Sequence, residues 1–420
     1  MTKSLLFVAV ATLFSLPTVY SQNVKTETTP YTYIQLPTNP LAKSITSYQS
    51  TVQAVYEAEN QKKNAAYEAE MAAAEADYQR ELAAYPAKQK AAEDKYAAEL
   101  AEYEKKSLAT KVVEKQILNE NNKPVKQVPP APYKRYVAKP VLQRSYDYAA
   151  LAGTYLTLGG YENSSINAVK IEVTLNGFDY TKPVQLSEVK KEVTRVNGTS
   201  TTNNVTYYHV EFTYRHTMSV KVTLPDGKEL FFLSPQELNT YKTYKSAETK
   251  TSQTVNEDQL VQTYEEKILQ ENLKFIGDLV NDRIGFKPTE RQGKLSYVKS
   301  KDETYADLMK AYNEGSSALK TLKDDEVGSK AKLMAVAQTY QTVLLESNLN
   351  DKKARIDKEV TTMIYFNLLE IYFATRDVAA AEKTLSSLNS MDLSNGDRKE
   401  KEAMEKVIID LKKRVAANGL

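Results

Sequence analysis

The chain has 420 residues, with 56 lysines and arginines against 54 aspartates and glutamates, and no cysteine. The missing cysteine excludes disulfides, thiolate metal sites and cysteine nucleophiles, and the balanced charge supplies no basic field for nucleic acid. The length allows two to four domains, and 29 tyrosines without a tryptophan suit wet binding surfaces.

Residues 1–21 are expected to be a signal peptide. Lys3 gives the positive start, Leu5 to Leu16 form the apolar core, and Val19-Tyr20-Ser21 prepare cleavage before Gln22. The apolar run of about a dozen residues is too short for a transmembrane helix, which needs roughly 20. No later stretch is apolar enough for an integral membrane span. These features predict an exported bacterial protein, periplasmic or associated with the outer membrane or cell surface.

Residues 22–45 read as an extended tether, with one strand-like run, Tyr31 to Leu36, able to join a later sheet. Residues 46–120 are rich in Ala, Glu, Lys and Gln, all strong helix formers. Within them Tyr56, Tyr67, Tyr78, Tyr85, Tyr96 and Tyr103 recur at spacings of 11 and 7. Eleven helical steps advance a side chain by about +20° and seven by about −20°, so the six tyrosines stay within roughly 40°. This pattern predicts a long coiled-coil-like helix with a tyrosine seam, acting as a spacer or as a stalk for homo-oligomerisation. Pro86 interrupts it and leaves two readings: one kinked helix of about 110 Å, or a hairpin. Residues 121–143 carry five prolines and read as a stiff linker.

Residues 144–250 alternate apolar and polar side chains, as in Val169-Ile171-Val173-Leu175 and Tyr208-Val210-Phe212-Tyr214. They predict a small antiparallel, sandwich-like β domain with a polar loop at 197–204. From 255 to 420 the period turns helical, with segments at 302–322, 327–346, 355–376, 378–389 and 397–417. The fold class is therefore α+β and multidomain, mostly α.

Tyr365-Phe366-Asn367-Leu368-Leu369-Glu370-Ile371-Tyr372, Asp377 at a turn, and Ala380-Ala381 with Leu385 and Leu388 resemble a tetratricopeptide repeat. The resemblance covers about 302–390. It implies a helical-repeat domain that binds a protein, with Met363, Phe366, Glu370 and Phe373 facing a concave groove. Met363, Phe366 and Phe373 read more simply as core, because a helix apolar on most sides is usually buried.

No motif for chemistry emerges. His209 and His216 are the only histidines, expected on the polar face of a strand and at a strand end. No metal, nucleotide or nucleophile-elbow spacing occurs. The chain therefore reads as a non-enzymatic envelope scaffold or adaptor, without cofactor or metal, binding a protein partner. A carbohydrate- or surface-binding module using Tyr155, Tyr161, Tyr180 and Tyr207, and a periplasmic holdase, are the other readings.

Overall fold

The computed structural model describes residues 23–112, 123–252, 254, 256–300 and 303–420. The expected signal peptide lies outside them. The fold mixes α and β, with 48% helix and 25% strand, and the described residues form no closed barrel. None of the described helices is long and apolar enough to cross a membrane.

The extended first segment forms a strand that begins well before Tyr31. Asn23–Gln35 is strand β1, with Thr29 and Tyr31 buried. Pro30 is tolerated because the strand is at an edge. Residues 47–54 depart from the predicted helix: Ser47–Ala54 is strand β2, which buries Tyr48 and Val52. Their period-two burial beside a sheet outweighs the helix-forming composition that follows.

Helix α1 then runs unbroken from Glu57 to Lys105 with Pro86 inside it. It is a single helix, and its 49 residues span about 73 Å at 1.5 Å each. A short helix, α2, follows at Leu108–Val112. The linker does not project away. Lys126 pairs with Glu93 at 2.9 Å, Lys134 with Glu75 at 2.6 Å, and Asn60 donates to the Gln143 carbonyl at 2.8 Å. The proline segment thus descends antiparallel along α1. From Lys126 to Gln143 is 17 residues, about 53 Å at the polyproline II rise of 3.1 Å. From Glu93 to Asn60 is 33 helical residues, about 50 Å. The two rods match in length, so the segment is extended throughout.

Helix α3 (Tyr148–Tyr155) and the two-residue strand β3 (Glu162–Asn163) lead into β4 (Ala168–Tyr180) and β5 (Val184–Val196). Strand β6 (Thr199–Thr223) pairs antiparallel with β5 and then β4, so one 25-residue strand lines both. Asn197 and Gly198, at φ 50° and 83°, form a two-residue hairpin turn where a longer polar loop was expected. Positive φ at both central residues is what such a turn requires. On the other side of β6 lie β7 (Glu229–Leu233) and β8 (Lys242–Lys245), with the one-turn helix α4 (Gln236–Asn239) between them. The sheet is not purely antiparallel, because β2 runs parallel to β4. Nor does it pair with a second sheet: its core face packs against α3 and α5 (Glu257–Ile284) through Val173, Leu175, Leu273 and Ile276.

A strand interrupts the region read as wholly helical. Lys287–Lys299 is β9, which pairs with all 13 residues of β1. Beyond it come α6 (Ala306–Lys320), α7 (Glu326–Leu344), α8 (Lys358–Thr375), α9 (Val378–Asn389) and α10 (Asn395–Ala417). Tyr31, Leu295, Leu308, Tyr340 and Leu369 share one core, so the β1–β9 ribbon belongs to the helical layer. Arg414 of α10 clamps this layer to the sheet region, donating to the Leu36 carbonyl and to Asp282 of α5.

Candidate functional site

Helix α8 is the frame. Asp357 caps its start by accepting from the Val360 amide, and Arg376 ends it at φ 65°. A joint of two residues then folds α9 back against it. The apolar run of α8 carries one amide at its centre. Asn367 is fully buried, accepts from the Ser296 amide at 2.8 Å and donates to the Ser296 carbonyl at 2.7 Å. It thereby satisfies both backbone groups that Ser296 turns outward from the ribbon, which would otherwise be orphaned in the core. Its side chain also donates to the Tyr340 hydroxyl at 3.0 Å.

One turn on, Glu370 is 3% exposed. Arg291 of β9 holds it bidentately, Nε to Oε1 at 2.6 Å and Nη2 to Oε2 at 2.9 Å. The Tyr31 hydroxyl donates to the same carboxylate at 2.6 Å. Burial and the Glu370 charge hold the Tyr31 phenol well above its ordinary range. Burial opposes the Arg291 charge, but the bidentate carboxylate outweighs it and keeps the guanidinium above its usual value. The guanidinium lies 4.3 Å from the Phe373 ring centre. Gly293 permits this packing: a Cβ there would stand 2.6 Å from Tyr31 Cε1 and 3.0 Å from Glu370 Oε1.

Of the four predicted groove residues, then, Glu370 and Phe373 lie beneath the chain's own ribbon. Met363 and Phe366 line an open cleft of about 1030 Å³ between α8, α10 and the ribbon. Glu370 reaches its wall, with the carboxylate already taken. Met404 and Val407 of α10 complete the apolar floor, and Leu393 closes one end. Methionine is unbranched and polarizable, so a floor with two of them adapts to varied side chains. Lysines and acids ring the opening. Among the acids, burial and the neighbouring charges of Asp357 and Asp397 push the Glu359 carboxyl up.

The predicted coiled-coil seam is placed differently from its expected use. Tyr56 is buried at the root of α1, and Tyr67, Tyr78, Tyr85, Tyr96 and Tyr103 are half-buried. The segment that covers them is the chain's own residues 123–143. Tyr85 donates to the Pro129 carbonyl at 3.2 Å, and Pro124 sits by Tyr103. Ala74, on the same face, is 1% exposed. A tyrosine stripe reads alike whether its cover is another helix or an extended proline segment.

Both histidines are buried on β6 rather than placed on a polar face and at a strand end. His216 packs edge-on to Phe178 at 5.6 Å, and burial pushes its imidazole down to about 4. Among the described residues no group of three or more His, Asp or Glu could hold a metal ion. Tyr155 lies on α3 and Tyr161 packs near Phe286, away from Tyr180 and Tyr207 on the strands, so the four form no common platform.

Sequence reasoning gave no site role to Asn367, Arg291, Tyr31, Met404 or Val407. Asn367 had a readable sign, an amide flanked by Phe366 and Leu368 in an apolar helix. Comparison with protein-family profiles, curated proteins and solved structures returns no match to this chain.

Proposed function

We propose that the chain is a non-enzymatic scaffold or adaptor of the bacterial cell envelope, exported by its N-terminal segment. It holds a protein partner in the cleft between α8, α10 and the ribbon, while α1 and its proline cover act as a stiff spacer. In this reading α8 and α9 are a tetratricopeptide-like pair whose groove is half filled by the chain itself.

The observation that carries the proposal is the open part of that groove. A cleft of about 1030 Å³, floored by Met363, Phe366, Met404 and Val407, is at the top of the size range of small-molecule pockets and opens widely to solvent. Its apolar floor and charged rim match the core and rim of a protein interface.

A photoreactive residue in place of Val407 tests it in intact cells, with the exposed Lys383 on α9 as the control position. A discrete cross-linked partner from 407, absent from 383 and lost with Phe366→Glu, is expected. Identical products from both positions, or none from 407, would refute the cleft as a docking site.

A further inference from the structure

We infer that the partner segment held in this cleft is cationic and apolar: a short stretch of Lys or Arg interleaved with large aliphatic side chains. The inference rests on the reading of the cleft as a docking site and adds the chemistry of its occupant.

The floor sets the apolar half. Met363 and Met404 are nearly covered, while Phe366 and Val407 remain half-exposed in the cleft. From Glu359 to Glu370 the lining of α8 runs 11 residues, about 16 Å, which an extended segment of about five residues spans. Apolar side chains of an occupant would remove Phe366 and Val407 from water, at about 25 cal/mol per Å² covered.

The rim sets the charged half. Asp357, Glu359, Asp392, Asp397 and Glu400 border the cleft, against Lys294, Lys352 and Lys358. Two of the three lysines are already engaged, Lys294 with Glu400 at 3.4 Å and Lys358 with Asp392 at 3.2 Å. Arg291 is consumed by Glu370. Arg398 also reaches Asp392 at 3.6 Å, so the rim acids without an ion pair among the described residues are Asp357, Glu359 and Asp397, against Lys352; they stand where α8 and α10 begin, and the partial positive charge of those helix ends offsets them only in part. Glu359 makes no ion pair among the described residues, and Asp357 and Asp397 crowd it. An incoming ammonium or guanidinium relieves that crowding, whereas an incoming carboxylate adds to it. The whole chain carries a formal net charge of +2, so general attraction does not draw cations here; the preference is local.

Fluorescence anisotropy of the full chain with three labelled 12-residue peptides tests the assignment. One alternates leucine pairs with lysines, one replaces the lysines with glutamates, and one replaces the leucines with serines. The Leu/Lys probe is expected to bind at least tenfold tighter than either of the others. Phe366→Ser should weaken it at least tenfold. Glu359→Lys, an exposed rim change that leaves the core untouched, should weaken the Leu/Lys probe severalfold and narrow the gap to the Leu/Glu probe. Equal binding of the two leucine probes, or indifference to Glu359→Lys, overturns the cationic assignment even where the 407 cross-link stands. Binding that survives Phe366→Ser, or no binding by any probe, overturns it as well. An absent cross-link refutes the docking reading itself, so the two failures are distinguishable.

Discussion

The stalk and the helical body meet the same structural demand, laying an extended segment along helices, by opposite means. On the stalk, residues 123–143 lie along α1 in repeated shallow contacts, a proline or a half-exposed tyrosine at a time. The ion pairs Lys126–Glu93 and Lys134–Glu75 that accompany them are exposed. Exposed pairs contribute roughly 0–1 kcal/mol each. In the body the β1–β9 ribbon is held by a few deep polar anchors, Asn367 on the Ser296 backbone and Glu370 on Arg291 and Tyr31. The stalk spreads its stability over many equivalent rungs and tolerates the loss of one. The body concentrates its stability at groups that no water can replace.

The sharpest way to break this contrast is Arg291→Ala. Removal leaves the Glu370 carboxylate buried and without its cation, a change that destabilises by about 3–5 kcal/mol. Urea unfolding followed by circular dichroism should show the midpoint of the body falling accordingly. The triple variant Arg291→Met, Glu370→Met and Tyr31→Phe should recover most of the loss, because it removes the charge pair together with the hydroxyl that donates to it. A fall under 1 kcal/mol for Arg291→Ala would mean that the buried pair does not anchor the ribbon.

The same contrast explains what could be read in advance. The tyrosine seam is a local repeat, so its phase on α1 follows from 3.6 residues per turn alone. The helices α6 to α10 are periodic in the same way. What covers the seam was not legible, because alanine and tyrosine at those spacings accept a partner helix and a proline rod equally well. Strands β1 and β9 pair residues 23 and 299, and the contacts that make Pro30 and Gly293 acceptable exist only once the two meet. Likewise Met363 and Glu370 were recognisable as inward-facing, while the ribbon that separates their fates arrives from both sides of the chain.

A smaller effect asks whether the two regions come apart independently. His216 lies beneath the sheet that joins them, against Phe178, whose amide donates to Gln143 at the foot of the stalk. Its imidazole is pushed from an ordinary 6.5 down to about 4 by burial. The unfolded chain takes up the proton first, so stability is full above pH 6.5 and falls as pH drops toward 4, then levels off. The accumulated loss is about 3 kcal/mol. The difference between the parent chain and His216→Phe, followed across this window, should show that loss and cancel the common carboxylate titrations. A difference that stays constant from pH 7 to pH 4 would show that His216 protonates equally in both states.

The smallest effect belongs to a single rung. Tyr85→Phe removes only the hydroxyl that donates to the Pro129 carbonyl at 3.2 Å and keeps the ring on the proline segment. The Pro129 carbonyl is half-covered, so water replaces the lost donor and the change stays near 0.5–1 kcal/mol. Hydrogen exchange should quicken severalfold along α1 near 85, while α8 and β9 keep their protection unchanged. A second rung, the Lys134–Glu75 pair removed by Lys134→Met, meets α1 ten residues from Tyr85, about 15 Å along the helix and outside coupling range, so the two effects should add. If Tyr85→Phe instead lowered the urea midpoint of the body, the stalk would be a cooperative part of it, and the division into shallow rungs and deep anchors would fail.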